Sequence, residues 1–210
     1  MFKRYDAVSA LWRTSLLRAN ASRSMSWLFY ILAAALLQLG LSTTGSVAEE
    51  NTTTAIEDFI STYDCMLVEN LKTISEHGDR GSSRDRFFVV DFQEPSQRFV
   101  QCLFFEFATK LLCEASSGRY GPAPSEEGAL VLSQEDEAAL KSLGFEAPYQ
   151  VANFRQEIAL GHPPNFREVA ALVLRTMYVV YGARIDTPMS ITAPMAGHEH
   201  APLLSCLPLS

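Results

Sequence analysis

The sequence predicts an α+β domain: an antiparallel meander of three to four strands packed with about three helices. Three observations carry this reading. Apolar residues from Ile56 to Ile74 recur at three- and four-residue steps, the spacing of one helical stripe. Three short runs rich in Phe, Val and Cys then follow between Arg86 and Ser117, separated by turn-forming residues. Two further helical patterns with caps come after them. The order helix, three strands, helix, irregular piece, helix belongs to an α+β domain with a single core.

The first helix is signalled by Thr54 and Glu57, a capping box in which each side chain satisfies a free amide of the first turn. Its stripe runs Ile56, Phe59, Ile60, Tyr63, Met66, Leu67, Leu71 and Ile74, about five turns, and ends before Gly78. A polar loop reaches Arg86. The strands are Arg86–Phe92, Gln97–Phe105 and Lys110–Ser117, with turns at Gln93–Ser96 and Glu106–Thr109. Residues 118–128 are a Gly/Pro/Ser-rich loop, and Ala129–Leu132 has the character of a short fourth strand. Ser133 opens a second helix that carries Ala139, Leu140 and Leu143 and stops at Gly144, with Phe145 placed as after a glycine C-cap. Pro148–Leu160 fits either a short helix or an extended segment. Asn165, with Glu168 three residues on, caps a third helix through Tyr181, ended by Gly182. That helix is apolar nearly all round and is expected to be buried on more than one side. The tail holds four of the ten prolines and shows no periodicity, so it is expected to be flexible. The layout is therefore a leader over 1–48, a folded domain over 53–184 and a Pro-rich tail over 185–210.

With 48% hydrophobic and 20% charged residues in 210, the composition is that of a folded chain rather than a disordered one. The net charge of −7 is unevenly placed. Lys3, Arg4, Arg13, Arg18 and Arg23 against Asp6 give residues 1–48 a charge of +4, which leaves −11 for the body. So acidic a body is unsuited to neutralising phosphates, so nucleic acid is not an expected partner.

Trp27–Leu41 is an apolar run of 15 residues, about 22 Å as a helix, against the roughly 30 Å of a bilayer core. It follows basic residues and precedes the small Ser46-Val47-Ala48, the pattern of an export signal cleaved after Ala48. Three other readings fit the same residues: a true start at Met25, an uncleaved anchor with its basic end in the cytoplasm, and an Arg- and Ser-rich transit peptide. Each excludes the segment from the fold. The export reading places the protein in the periplasm or outside the cell, touching a membrane only through an uncleaved 27–41 segment.

Motifs that carry chemistry are absent. No phosphate loop, nucleophile elbow, HExxH or CxxC occurs. His198-Glu199-His200 with Cys206 lacks a scaffold in the expected tail, and Glu114 beside Cys113 has no histidine nearby to activate the thiol. The acids Glu135, Asp136 and Glu137 are explained by the first turn of a helix. No catalytic residue, metal or cofactor is expected. Asn51-Thr52-Thr53 is a glycosylation sequon.

Three stretches taken together carry a resemblance: RFVQCLFFEFATKLLCEASSGRY at 98–120, LSQEDEAALKSLGFEAP at 132–148, and NFRQEIALG with VAALVLRTMYVVYGAR between 153 and 184. The chain resembles the YbjN / type III secretion chaperone-like (TY-Chap) superfamily, over roughly residues 55–184. That resemblance implies a non-catalytic domain that binds peptides or proteins. The Gly or Asp of the family's second hairpin turn is replaced here by Glu106-Phe107-Ala108-Thr109. Besides an exported binding module, two readings of other classes are open: a structural subunit held by pairing with a second copy, and an exported enzyme. An enzyme would require Glu114, Arg119, Asn153 and Arg155 to converge in a cleft.

Register sharpens the binding reading. A second hairpin centred between Phe107 and Ala108 sets Cys102 opposite Cys113, at a separation that permits a disulfide; two reduced core thiols fit equally. A first hairpin centred on Glu94-Pro95 sets Val89 opposite Val100 and Asp91 opposite Arg98. One face then carries Phe87, Val89, Val100, Cys102, Phe104, Leu111, Cys113 and Ala115, and the first helix is expected to cover it. The other carries Phe88, Val90, Phe99, Gln101, Leu103, Phe105, Leu112 and Glu114. Either the third helix covers this second face, or part of it, with Phe99, Leu103 and Phe105, takes a partner or a second copy. A slip of one residue would exchange the faces.

Overall fold

The computed structural model describes residues 46–77, 81–93, 96–126, 128–146 and 153–206. The basic segment and the apolar run 27–41, on which the export reading rests, lie outside them. In chain order the described elements are α1 (Ser46–Glu76), β1 (Phe87–Phe92), β2 (Phe99–Phe105), β3 (Lys110–Ala115), α2 (Gln134–Ser142), β4 (Phe154–Ala159), α3 (Phe166–Val179), β5 (Met189–Ala193) and β6 (His198–Pro202). The strands form one six-stranded sheet in the order β4-β3-β2-β1-β5-β6, every neighbour antiparallel.

Two of these strands correct an expectation. The tail is not flexible over its length: β5 and β6 extend the sheet beyond β1. Val90 faces Ile191 across the β1–β5 pair, and Met189, Ser190, Ile191 and Ala193 are buried. The three described prolines of the tail punctuate strands. Pro188 and Pro194 bracket β5, and Pro202 ends the edge strand β6, where a missing amide is tolerated. Past β6, the Leu203 amide donates to the Met189 carbonyl, and Cys206 is disulfide-bonded to Cys65 of α1. The ambiguous stretch 148–160 supplies β4, and Ala129–Leu132 is irregular, not a strand.

Helix ends follow local chemistry. Ser133 Oγ accepts the Asp136 amide at 3.1 Å while Asp136 Oδ2 accepts the Ser133 amide at 2.9 Å, a full capping box for α2. Gly144, at φ +95°, turns the chain out, and the Phe145 amide returns to the Leu140 carbonyl. Asn165 Oδ1 accepts the Glu168 amide at the start of α3. Thr54 is not at a helix start: α1 begins at Ser46, so Thr54 lies inside it, and the Ser46–Ala48 and Asn51–Thr53 motifs lie in helical backbone. α3 buries Phe166, Val169, Ala170, Val173, Leu174, Thr176 and Met177, but Val179 is 41% exposed, so it is buried on one side only.

The core lies between the helices and one face of the sheet. Val100, Cys102 and Phe104 of β2 and Leu111, Cys113 and Ala115 of β3 are buried there, with Phe59, Leu67 and Leu71 of α1 and Val173 and Leu174 of α3. The Phe104 and Phe166 rings meet at 6.4 Å, which puts α3 on this face. Arg86 is also buried here, its guanidinium over the Phe104 ring.

The second hairpin has the expected register, with Cys102 opposite Cys113 and Gln101 opposite Glu114. The first is one residue out: Val90, not Val89, faces Val100, and Asp91 faces Phe99. This exchanges the two sides of β1. Phe88 and Val90 are in the core, and Phe87 and Val89 are on the far face. The reason is Asp91. Phe87-Phe88-Val89-Val90 is apolar on both sides and so leaves register undecided. Asp91 cannot enter the core uncompensated, and it shares a side with Phe87 and Val89.

Candidate functional site

The far face of the sheet is the candidate site. The buried alternate residues of β2 and β3 point to the helices, so Phe99, Gln101, Leu103, Phe105, Leu112 and Glu114 point the other way, and all six are partly exposed. α3, one of the two expected coverings, packs on the opposite face. Phe88 and Val90, read from sequence as members of this surface, are instead fully buried; Phe87 and Val89 take their places.

Polar groups in the apolar field are satisfied in a chain across three strands. Gln101 Nε2 donates to Glu114 Oε2 at 2.6 Å, and Arg155 Nε donates to Glu114 Oε1 at 2.7 Å. Each residue faces the next in register, so the chain is a product of strand pairing. Of the four residues whose convergence would mark an enzyme, Glu114 and Arg155 meet here. Asn153 is buried and accepts the Ser117 amide at 3.2 Å, serving the end of β3, while Arg119 is exposed in the following loop.

A cavity of about 260 Å³ is sunk into this face between Phe87, Gln101, Leu103, Leu112 and Glu114. At the end of the sheet where β1 stops, a cleft of about 640 Å³ opens among Phe92, Arg98, Leu130, Tyr181, Asp186 and Pro188. Sequence reasoning missed that cleft because its walls come from separate loops with no shared pattern.

Toward β6, Asp91, Ser190 and His200 cluster on three adjacent strands. The Ser190 hydroxyl donates to Asp91, and His200 Nδ1 lies 3.2 Å from Ser190 Oγ and 3.9 Å from Asp91 Oδ2. This is not a nucleophilic relay. The serine is 1% exposed and its proton goes to the carboxylate, with no imidazole between them. The cluster fixes β5 and β6 to β1.

Both cysteine pairs are joined: Cys102 to Cys113 inside the core, and Cys65 to Cys206 at the surface of α1. Sequence spacing pointed to the first. The second joins residues 141 apart, and nothing local announces it.

The fold is thus an antiparallel sheet with helices on one side and a half-exposed, hydrogen-bonded surface on the other. The chain belongs to the TY-Chap3 family, described as T3SS (YopN, CesT) and YbjN peptide-binding chaperone 3, which it matches over residues 67–194. No curated protein and no solved structure matches it.

Proposed function

We propose that this protein is an exported, non-enzymatic module that holds a peptide or protein segment on the open face of its sheet, around Phe99, Leu103, Phe105 and Leu112. The observation that carries the reading is the apolar stretch on a sheet face away from the helices, whose polar members are satisfied by one another. Such a surface can accept an apolar segment without stranding Gln101 or Glu114. The family's peptide-binding description supports the same class of partner. Export is supported by the signal-like residues 27–48 and by the two disulfides, which persist in oxidising compartments.

The test is the double variant Leu103→Asp, Phe105→Ser. It is expected to keep the wild-type circular dichroism and unfolding midpoint and to lose a partner recovered from the native compartment. Light scattering distinguishes that partner from a second copy of the chain. Unfolding of the variant would show the face to be core and remove the proposal.

A further inference from the structure

The open-face cavity does not end at Leu112. A second hollow of about 480 Å³ shares that residue and continues over β4, between Gly144, Glu146, Arg155 and Glu157. The two form one groove running across the strands, apolar at the Phe87–Leu103 end and charged at the β4 end. The charge is one-sided. Arg155 is committed to Glu114, whereas Glu146 and Glu157 have no cationic partner among the described residues. Both acids are exposed and fixed at the backbone. Glu157 faces Leu112 across the β3–β4 pair, and Glu146 is bonded through its backbone to Arg155 in both directions, at 2.7 and 3.2 Å. The body of the chain, at −11, adds a field of the same sign.

Resting on the open-face reading, we propose that this groove takes an extended segment that carries an apolar side chain and, two or three positions away, a lysine or arginine. The apolar group fills the hollow at Leu103 and Leu112, and the cation lies between Glu146 and Glu157. The spacing follows from the sheet. β2 and β4 are two strand separations apart, about 10 Å, and an extended chain covers that distance in about three residues. A basic side chain can reach the acids from position two or three.

Capped hexapeptides with a leucine and, two residues away in either order, an arginine, glutamine or glutamate provide the probes, titrated by isotope-edited NMR in roughly 20 mM salt, where surface charge is least screened. The arginine peptide is expected to bind about three- to ten-fold more tightly than the glutamine peptide, and the glutamate peptide most weakly. The advantage should vanish in the Glu146→Gln, Glu157→Gln double variant and shrink in 0.15 M salt. Equal binding of all three peptides, or an arginine preference that survives the double variant, overturns the proposal. Leu103→Asp separates the two readings. If it weakens every peptide while charge has no effect, the open face binds but has no basic preference. If it leaves every titration unchanged, or if no peptide binds the wild type, both readings fall.

Discussion

Arg86 Nη2 donates to the carbonyl oxygen of Ile74 at 3.0 Å and to that of Ser75 at 3.2 Å, so a side chain at the start of β1 closes the end of α1. α1 has no basic residue in its own last turn. The buried guanidinium supplies the positive charge that a helix C-terminus favours and occupies carbonyls that would otherwise be stranded. Replacing Arg86 by Met keeps the volume and removes both bonds. The expected loss is about 2–3 kcal/mol, read from urea unfolding, with Lys in its place intermediate because it lacks the planar fork. A change below about 0.5 kcal/mol would contradict this role.

The register of β1 gives a paired test. Val90 is wholly buried and Val89 is on the open face. Val90→Asp is expected to cost more than about 4 kcal/mol, because it buries an unpaired charge, and Val89→Asp roughly 1 kcal/mol. The reverse order, measured by denaturant titration, would restore the alternative pairing.

Tyr181 links α3 to the sheet through its hydroxyl, which donates to the Ser116 carbonyl at 2.8 Å. Burial, then the negative charge of Asp136, pushes its ionisation well above the ordinary value near 10. A folded pKa above the unfolded one gives stability that is complete below pH 10 and is lost as pH rises beyond it, because the unfolded chain ionises first. Tyr63 shifts in the same direction, from burial and Asp186. Tyr181→Phe should cost about 1 kcal/mol at pH 7 and flatten the decline in unfolding free energy between about pH 10 and 11. An unchanged alkaline slope would count against it.

The disulfides differ in access. Cys65 is exposed, whereas Cys102 and Cys113 are fully buried. Protein from its native host should show no free thiol after denaturation without reductant. Under mild reduction, mass spectrometry after alkylation should find Cys65 and Cys206 labelled while Cys102 and Cys113 stay protected until the domain unfolds. Labelling of all four together would refute the difference.

At the β2–β3 turn, Glu106, Phe107 and Ala108 all have positive φ, at 47°, 58° and 63°, and Phe107 is 72% exposed. Left-handed backbone costs a side-chain-bearing residue roughly 1–2 kcal/mol, and Phe107 recovers little of that by packing. Phe107→Gly should therefore raise the unfolding midpoint, by about 1 kcal/mol in stability. A lower midpoint would mean that the ring packs in solution.

What was legible in the sequence followed from local chemistry. The Ser133 and Asn165 caps, the Gly144 and Gly182 exits and the facing of Cys102 and Cys113 all depend on a few neighbouring residues. The errors fell where a distant partner decides. β5 and β6 are strands because β1 offers an edge on the side away from β2, which no property of residues 189–202 reveals. The register of the first hairpin is not legible in Phe87-Phe88-Val89-Val90, because four apolar residues in a row leave the pleat undecided; Asp91 breaks the tie by staying out of the core. On the open face, Phe99, Gln101, Leu103, Phe105, Leu112 and Glu114 were found from register alone, while Phe88 and Val90 went with the slip.

The Cys65–Cys206 bond also has a mechanical side. Residues 65–206 enclose all six strands, α2 and α3 between two bonded sulfurs. Tension applied between Ser46 and Cys206 would run along α1 to Cys65, cross the sulfurs and leave at Cys206. The sheet lies outside that path, so a pull able to peel β6 from β5 in the reduced chain would stretch only the first turns of α1 in the oxidised one.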